Sequence, residues 1–218
     1  AASDVYKRQE EIKELYNEGG IELSVVVGAG NIFRGRDAIS HGMNRSSADY
    51  MGMLATILNA LALQSALENL NLDTRVMTSL SIPQVAEPYI RRKALSHLEK
   101  DRIIIFGGGN GIPYFSTDTT AVLRAAELDA DLILMAKNGV DGVYDKDPRK
   151  DKTAKKFKHL THQQVVEKNL KVMDMTAAAL CAENNIDVYV FDMNKKGNIA
   201  AAAKDFSFGT LISNKEQK

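Results

Sequence analysis

The stretch from Ile103 to Asp118 constrains the fold more than any other part of the sequence. It reads IIIFGGGNGIPYFSTD, so a run of apolar, mostly β-branched residues ends at three consecutive glycines. Its polar end precedes a helical pattern over Ala121–Leu128. This order predicts a buried strand, a loop whose backbone N–H groups are not shielded by side chains, and a helix N-terminus. Such a junction gathers N–H groups and the positive end of a helix dipole, which favours an anion, although a plain βα turn gives the same pattern.

Composition excludes several classes of protein. The chain of 218 residues can bury one sizeable α/β core or two small ones, and its formal net charge of zero gives no general attraction to nucleic acid or to an anionic membrane. The apolar segment Met51–Leu67 is interrupted by polar residues, so no membrane span is predicted. A single cysteine, Cys181, excludes an intramolecular disulfide and fits a reducing cytosol, so the predicted location is cytoplasmic. The four histidines lack metal-ligand spacing, and no metal site is predicted from protein side chains.

A second glycine loop follows the β-branched strand predicted at Ile21–Val27. The loop Gly28-Ala-Gly-Asn31 does not complete the pattern GxGxxG, because the next glycine is Gly35. A dinucleotide site is therefore weakly supported, and no phosphate-binding GxxxxGK[ST] motif occurs in the chain. Arg34 lies close behind the loop, where a guanidinium could contact phosphate or could simply be solvated.

Two further segments carry candidate polar residues. The spacing of apolar residues predicts a long helix over Ser46–Leu70 with Asp49 in its first turn. That carboxylate would either complement the helix dipole or accept hydrogen bonds from sugar hydroxyls. The segment Lys137–Lys158 contains turn dipeptides at Asn138 and Asp141, which predict a short hairpin, and its lysines would suit a loop over a polyphosphate or a solvated surface.

The order of predicted elements favours an α/β fold. Strands and helices alternate, which predicts a single three-layer α/β/α domain with a mainly parallel central sheet. Ligands then belong at the carboxyl ends of the strands. We expect residues 10–218 to form this domain. Residues 1–9 read AASDVYKRQ, which looks like a translated sequencing adapter, and are expected to be a non-native or disordered tail.

Five motifs in this order give the chain a family resemblance. It resembles the bacterial uridylate (UMP) kinases of the amino-acid kinase superfamily from about Glu10 to Ser213. The motifs are GAGNIFRG (28–35), ADYMGMLAT (48–56), GNGIPYFSTDTTAVLRAAE (109–127), AKNGVDGVYDKDP (136–148) and KVMDMTA (171–177).

The resemblance implies an enzyme that transfers the γ-phosphoryl group of ATP to UMP with Mg²⁺. It also implies a homohexamer and GTP and UTP as effectors, with Arg75 and Arg102 as weak candidates for effector contacts. By motif match, UMP would contact Ala29, Asp49, Asn110, Gly111, Ile112, Pro113, Tyr114, Phe115, Ser116 and Thr117. ATP would contact Gly30, Arg34, Asn138, Tyr144 and Asp147. The residues nearest the transferred group would be Arg34, Asp118 and Asp174.

Two departures from the family pattern matter. The family's glycine loop usually reads GGGN, and Ala29 replaces its second glycine; a positive φ at this residue would cost about 1–2 kcal/mol. The family's N-terminal strand with its KxSG motif is missing from the sequence, so the domain is expected to lack that strand. Loss of its phosphate-binding lysine would lower the rate by about 10²–10³ and leave the chain nearly inactive.

Two other functions remain open at this stage. The chain could be another amino-acid kinase that phosphorylates a carboxylate or carbamate, such as an acetylglutamate, aspartate or carbamate kinase. Those enzymes share the ATP-side loops but would not be expected to carry GNGIPYFSTD together with Asp49. It could also be a non-catalytic binding or storage protein on the same fold, which the retained Arg34 and Asp118 argue against.

Overall fold

The computed structural model describes residues 8–215, apart from the side chain of Arg36. Residues 1–7 of the expected tail lie outside this range. Arg8 and Gln9, which the expectation also assigned to the tail, are the N-cap and the first residue of a helix. The chain divides into two compact units, one up to Thr120 and one from Ala121 onward.

The first unit is built on a four-stranded sheet whose strand order is β1-β4-β2-β3, and every adjacent pair is parallel. The helix α3 packs on β4 and β2. The elements are α1 (Gln9–Asn17), β1 (Ser24–Val26), α2 (Gly35–Ser40), α3 (Arg45–Glu68), β2 (Thr74–Thr78), β3 (Glu87–Pro88), α4 (Arg91–Leu98), β4 (Ile103–Gly107) and the start of α5 (Thr117–Glu127).

Burial explains why β4 occupies the centre of this sheet. All five of its residues are buried, and its β-branched side chains suit a strand that is covered on both faces. The long helix α3 begins after Asn44, whose side-chain oxygen accepts hydrogen bonds from the N–H groups of Ser46 and Ser47. Within residues 8–215, α3 is the one helix long and apolar enough to cross a membrane, and half of its most apolar part is buried inside the protein.

The second unit is built on a sheet with the strand order β5-β7-β8-β6. The pairs β5–β7 and β8–β6 are parallel, and β7–β8 is antiparallel. The elements after α5 are β5 (Leu132–Lys137), β6 (His159–Leu160), α6 (His162–Glu167), α7 (Met175–Asn184), β7 (Asp187–Asp192), α8 (Asn198–Ala201) and β8 (Thr210–Ile212).

Strand β7 places side chains in cores on both of its faces. Val188 and Val190 join one buried cluster, which includes Cys181, whereas Tyr189 and Phe191 join another. The alternation follows from the period of two residues in a strand. The thiol of Cys181, on α7, is buried in the first of these clusters.

The predicted fold class, α/β with mainly parallel strand pairing, is confirmed, and the strands are distributed over two four-stranded sheets. A capping box formed by Thr161 and Gln164 begins α6, as their spacing of three residues allows. The short hairpin predicted after β5 is wrong: Tyr144 instead forms an isolated antiparallel bridge with Lys156. The turn dipeptides bend the chain, but the returning arm arrives only after a further loop, so local turn chemistry could not reveal the pairing.

Candidate functional site

The glycines after β4 are required by close packing. Gly108 has a φ of +78°, and a Cβ atom on it would lie 2.6 Å from Thr78 Oγ1. Gly111 has a φ of +84°, and its Cβ would lie 3.1 Å from the carbonyl oxygen of Ser79. Only a residue without a side chain fits such positions without strain. The loop Asn110–Thr117, called here the acceptor loop, therefore leaves the sheet by a fixed path.

Two hydroxyl groups hold the beginning of this path. The N–H of Gly108 donates to the hydroxyl of Thr56 at 2.7 Å, and the hydroxyl of Ser79 donates to the carbonyl of Gly109 at 2.8 Å. Thr56 is buried on α3. Neither Thr56 nor Ser79 was predicted to be part of the site, although a threonine inside an apolar helical pattern was an available signal.

Asp49 connects the acceptor loop to α3. Its Oδ2 atom accepts the N–H of Tyr114 at 2.7 Å and the Nε–H of Arg45 at 2.9 Å. The guanidinium of Arg45 also lies over the ring of Tyr114, 5.1 Å from its centroid, in a cation–π contact. Tyr114 has a φ of +76°, which is unusual for a bulky residue and is maintained here by these contacts.

The predicted place of Asp49 in the first turn of the helix is wrong. α3 begins at Arg45 and has no acidic residue in its first turn. The helix dipole therefore does not explain the carboxylate. The hydrogen bond to a backbone group 65 residues away does explain it.

The glycine loop at Gly28 lies beside these residues. Asn59 on α3 donates to the carbonyl of Gly28 at 2.7 Å and forms a reciprocal amide pair with Asn31. A Cβ on Gly28 would lie 3.7 Å from Thr117 Oγ1 at the end of the acceptor loop. A Cβ on Gly35 would lie 3.6 Å from Asp49 Oδ1. The structure thus brings the glycine loop, Asp49 and the acceptor loop close to one another.

Ala29 does not carry the strain that its replacement of a glycine could have caused. It is buried, and it is not among the described residues with positive φ. Its carbonyl accepts the N–H groups of Ile32 and Phe33 at 2.9 Å, which closes the turn. The cost considered for a positive φ therefore does not arise.

Arg34 is exposed, and its guanidinium is held in place through the Nε atom. Its Nε–H donates to the carbonyl of Gly30 at 3.0 Å. Within residues 8–215 the two terminal nitrogens donate to no partner, so their N–H groups are available to an anion. A short helix, α2, begins directly after Arg34 and was not predicted.

The helix α5 begins at the end of the acceptor loop. The hydroxyl of Ser116 accepts the N–H of Thr119 at 3.0 Å, and the carbonyl of Ser116 accepts the N–H of Thr120 at 3.1 Å. Asp118 lies in the first turn of this helix, where a carboxylate is favoured by the dipole.

In the second unit, polar groups meet at the carboxyl ends of β5 and β7. The side chain of Asn194 donates to Asn138 Oδ1 at 2.7 Å. The carboxylate of Asp192 accepts the N–H of Gly139 at 3.0 Å and the N–H of Asn194 at 2.9 Å. This edge of parallel strands is where α/β proteins bind ligands. Asp192 and Asn194 were missed because the residues that they contact are more than 50 positions away in the sequence.

The other candidates of this unit lie in the loop after β5 and at α7. The backbone N–H of Arg149 donates to Asp147 Oδ1 at 3.0 Å, and its guanidinium donates to the carbonyl of Asn138 at 3.3 Å, so Arg149 links these two candidates. The hydroxyl of Tyr144 donates to Asp141 at 2.6 Å. Asp174 is the N-cap of α7, and its carboxylate accepts the N–H of Ala177 at 3.0 Å.

A family model described as the amino acid kinase family matches residues 2–192. The chain belongs to the amino acid kinase family. Among its relatives, a uridylate kinase of Onion yellows phytoplasma (strain OY-M) is 59% identical over 206 residues, which cover 94% of this chain and 85% of that protein. A uridylate kinase of Limosilactobacillus reuteri is 58% identical over 209 residues, which cover 96% of this chain and 85% of that protein.

Solved structures agree with this family. A UMP kinase from Bacillus anthracis has a TM-score of 0.94 and 41% sequence identity, with 99% of this chain and 88% of the other covered. A UMP kinase from Ureaplasma parvum has a TM-score of 0.89 and 40% identity, with 96% and 88% covered. Within its family the chain therefore groups with the uridylate kinases, which makes it a nucleoside monophosphate kinase that uses a nucleotide as phosphoryl donor.

Proposed function

We propose that this chain catalyses the transfer of the γ-phosphoryl group from ATP to UMP, which yields ADP and UDP for pyrimidine nucleotide synthesis. The observation that carries the proposal is the acceptor loop held by Asp49 beside the glycine loop, in a chain 58–59% identical to uridylate kinases. A carboxylate and a set of fixed backbone groups at this place suit a ribose and a phosphate.

UMP binds in this proposal along the acceptor loop from Asn110 to Thr117. The loop's exposed side chains at Ile112, Tyr114 and Phe115 offer apolar and aromatic surface for a pyrimidine base. Asp49 has two oxygens, and its Oδ1 atom faces the glycine loop, where it would accept a hydrogen bond from a ribose hydroxyl. Ala29 lies at the UMP phosphate.

ATP binds in this proposal through Gly30 and Arg34 at its phosphates and through Asn138, Tyr144 and Asp147 at its adenosine. Arg34 is suited to this task because Gly30 holds its Nε while the terminal N–H groups point outward. A guanidinium fixed in this way can donate two parallel hydrogen bonds to phosphate oxygens. Asn138 and Asp147 are tied to each other through Arg149, so their spacing is set before a nucleotide arrives.

Mg²⁺ is the metal expected with ATP. Among residues 8–215, no three histidine, cysteine, aspartate or glutamate side chains cluster as a metal cage. This fits Mg²⁺, which commonly keeps several waters and takes one or two carboxylates together with substrate phosphates. Asp118 and Asp174 are proposed to act near the transferred group, and the bound ion would neutralise charge on that group.

The chemistry needs no nucleophilic side chain. An oxygen of the UMP phosphate attacks the γ-phosphorus of ATP, the bond to the β–γ bridging oxygen breaks, and ADP leaves. Because the phosphate oxygen is already ionised at neutral pH, no strong general base is required. The residues contribute position and positive charge, and fixed donors such as Arg34 stabilise the charge that develops on the equatorial oxygens.

A homohexamer in the cytoplasm, with GTP and UTP as effectors, completes the proposal. An exposed apolar surface on α3 supports contact between copies of the chain: Tyr50, Met51, Leu54 and Leu58 are each at least 43% exposed. Isolated apolar residues are common on surfaces, but four on one helix form a continuous patch. Arg75 and Arg102, the weak effector candidates, both pair with Asp73, which helps to hold the pKa of that carboxyl below its ordinary value.

The test is ADP release with ATP·Mg²⁺ and, in parallel, UMP, CMP, AMP or acetylglutamate as acceptor, measured on the chain with the family's KxSG strand added at its N-terminus, because the rate without that strand is expected to be low. We expect the highest kcat/KM with UMP. Calorimetric titration of each of these acceptors into the protein provides a second measurement that does not depend on turnover. A preference for any other acceptor in both assays would contradict the proposed substrate.

A further inference from the structure

The loop between β5 and β6 is fastened to the second unit by a pair of charged side chains. Asp141 accepts the hydroxyl of Tyr144 on Oδ1 at 2.6 Å and the ammonium of Lys156 on Oδ2 at 2.9 Å. We propose that Asp141 and Lys156 are positioning residues for the donor nucleotide, because they fix the ring of Tyr144 against which adenosine binds. This inference rests on the proposed function, in which Tyr144 contacts ATP.

Lys156 joins the two arms of the loop to the chain that follows β7. Besides Asp141, its ammonium donates to the carbonyl of Phe208 at 3.1 Å. The side chains of Lys156 and Asp141 are 28% and 32% exposed, so the ion pair is partly removed from solvent. An ion pair in such surroundings is screened less than one on an open surface, and removal of one partner leaves a charge uncompensated.

The backbone of the loop is fixed at the same place. Thr210 on β8 is fully buried; its hydroxyl accepts the N–H of Val143 at 2.8 Å and donates to the carbonyl of Phe157 at 2.5 Å. A Cβ on Gly142 would lie 2.6 Å from Thr210 Oγ1 and 2.9 Å from Lys156 Cδ. Residues 141–144 therefore have little freedom to shift, and the remaining freedom of Tyr144 is the orientation of its side chain.

The hydrogen bond with Asp141 removes that freedom. Since the phenol must point at Asp141 Oδ1, the ring cannot turn about its first side-chain torsion without losing the bond. The bond raises the pKa of Tyr144 to about 12. Burial would raise the pKa of Asp141, but its hydrogen bonds with Tyr144 and Lys156 outweigh burial and hold the pKa below its ordinary value. When a nucleotide base stacks on a tyrosine ring, the ring must adopt one orientation. A ring that is already held in that orientation makes the free-energy cost of binding smaller than a mobile ring would.

Neighbouring lysines offer matched controls. Lys155 and Lys158 flank the same bridge and are exposed, and within residues 8–215 neither ammonium group makes a hydrogen bond or an ion pair. Lys158→Met therefore removes the same charge and the same donor group as Lys156→Met without releasing Asp141. Any difference between the two variants reports the contacts of Lys156 and not the net charge of the loop.

The experiment uses the full chain with four variants: Lys156→Met, Lys156→Arg, Asp141→Asn and Lys158→Met. Affinity for a non-hydrolysable ATP analogue is measured by calorimetry, and KM is measured for ATP and for UMP. We expect Lys156→Met and Asp141→Asn to weaken the analogue about fivefold, which corresponds to about 1 kcal/mol. UMP affinity and kcat should change by less than about twofold. Lys156→Arg should recover most of the loss, and Lys158→Met should match the wild type.

A spectroscopic titration of the phenols keeps the inference testable without turnover. In Asp141→Asn, one tyrosine should ionise at lower pH than in the wild type, since the bond that raises the pKa of Tyr144 has lost its charged acceptor. Equal analogue affinity for Lys156→Met and Lys158→Met, or equal losses for ATP and UMP, would overturn the inference. If the wild type with the family's KxSG strand added binds the analogue but does not phosphorylate UMP, the proposed function fails, while the difference between the lysine variants still decides the positioning role.

Discussion

Two adjacent glycines at the start of the acceptor loop allow a sharp test of how the loop is packed. Gly108 and Gly109 both have positive φ, +78° and +56°. A Cβ on Gly108 would lie 2.6 Å from Thr78 Oγ1 and 3.3 Å from the backbone nitrogens of Ser79 and Leu80. A Cβ on Gly109 would first meet Met53 Cγ at 3.4 Å, and a methionine side chain can move aside.

Alanine at either position should lower the free energy of unfolding by about 1–2 kcal/mol, because its backbone must adopt the left-handed region. Gly108→Ala adds a collision with a buried threonine and with backbone, and such overpacking costs about 1–3 kcal/mol more. In a chain of this size each 1 kcal/mol lowers the melting temperature by about 2–4 °C, so Gly108→Ala should melt roughly 5 °C below Gly109→Ala.

Thermal unfolding followed by circular dichroism measures both variants under the same conditions. The double variant Thr78→Ala, Gly108→Ala identifies the colliding group, because without Oγ1 the new Cβ has room. Thr78→Ala alone should destabilise the protein by about 1 kcal/mol, since Oγ1 accepts the N–H of Leu80. In the Gly108→Ala background, the Thr78→Ala substitution should destabilise the protein less than it does alone, or should stabilise it. Equal melting temperatures for the two glycine variants, together with additive effects in the double variant, would refute this reasoning.

Three further predictions concern other parts of the chain. Arg34→Gln should lower kcat/KM by about 10²–10³ with little change in melting temperature. Arg34→Lys should restore only part of the activity, because an ammonium cannot donate two parallel hydrogen bonds from a planar group as a guanidinium does. Unchanged turnover in an ADP-release assay would contradict the proposed contact. Burial lowers the pKa of His162 below its ordinary 6.5, so the unfolded chain takes up a proton that the native chain resists. The free energy of unfolding should therefore decrease as pH falls below 6.5 towards the native pKa, and urea titrations of His162→Gln should show a flatter dependence; parallel curves would argue against it. Cys181 is fully buried, so a thiol reagent should label the native protein only as fast as it opens, and denaturant should accelerate labelling strongly; immediate labelling of the native protein would disagree with this burial.

The parts of the fold that could be predicted were those that depend on short stretches of neighbouring residues. The strand Ile103–Gly107 could be predicted from a run of β-branched residues that ends at glycines. The capping box at Thr161 is a pattern of only four residues. Strands β3 and β6 contain two residues each, too few to give a pattern of their own. They exist because neighbouring strands offer pairing partners, which is a property of the folded sheets.

The same distinction applies to the candidate site. The loops were visible in the sequence because glycines and an arginine cluster there. The groups that hold the loops were not, since Thr56 contacts a residue 52 positions away and Asp49 contacts one 65 positions away. Asp49 was predicted to lie on this helix, but the first-turn explanation failed because the helix begins at Arg45, one residue before the predicted start at Ser46.

The anchoring of the acceptor loop has a consequence for how specificity can change. The contacts described for this loop come from Asp49, Thr56 and Ser79 and from the glycine loop, all of which precede residue 121. Those described for Tyr144 come from residues 141–210. In the proposed function, recognition of UMP and recognition of the adenosine of ATP are therefore encoded in separate stretches of the chain, whereas Gly30 and Arg34, proposed for the ATP phosphates, share the first stretch with the acceptor loop. Selection on one substrate can proceed through mutations that leave recognition of the other intact, and exchange of the first 120 residues between relatives should carry acceptor preference with it.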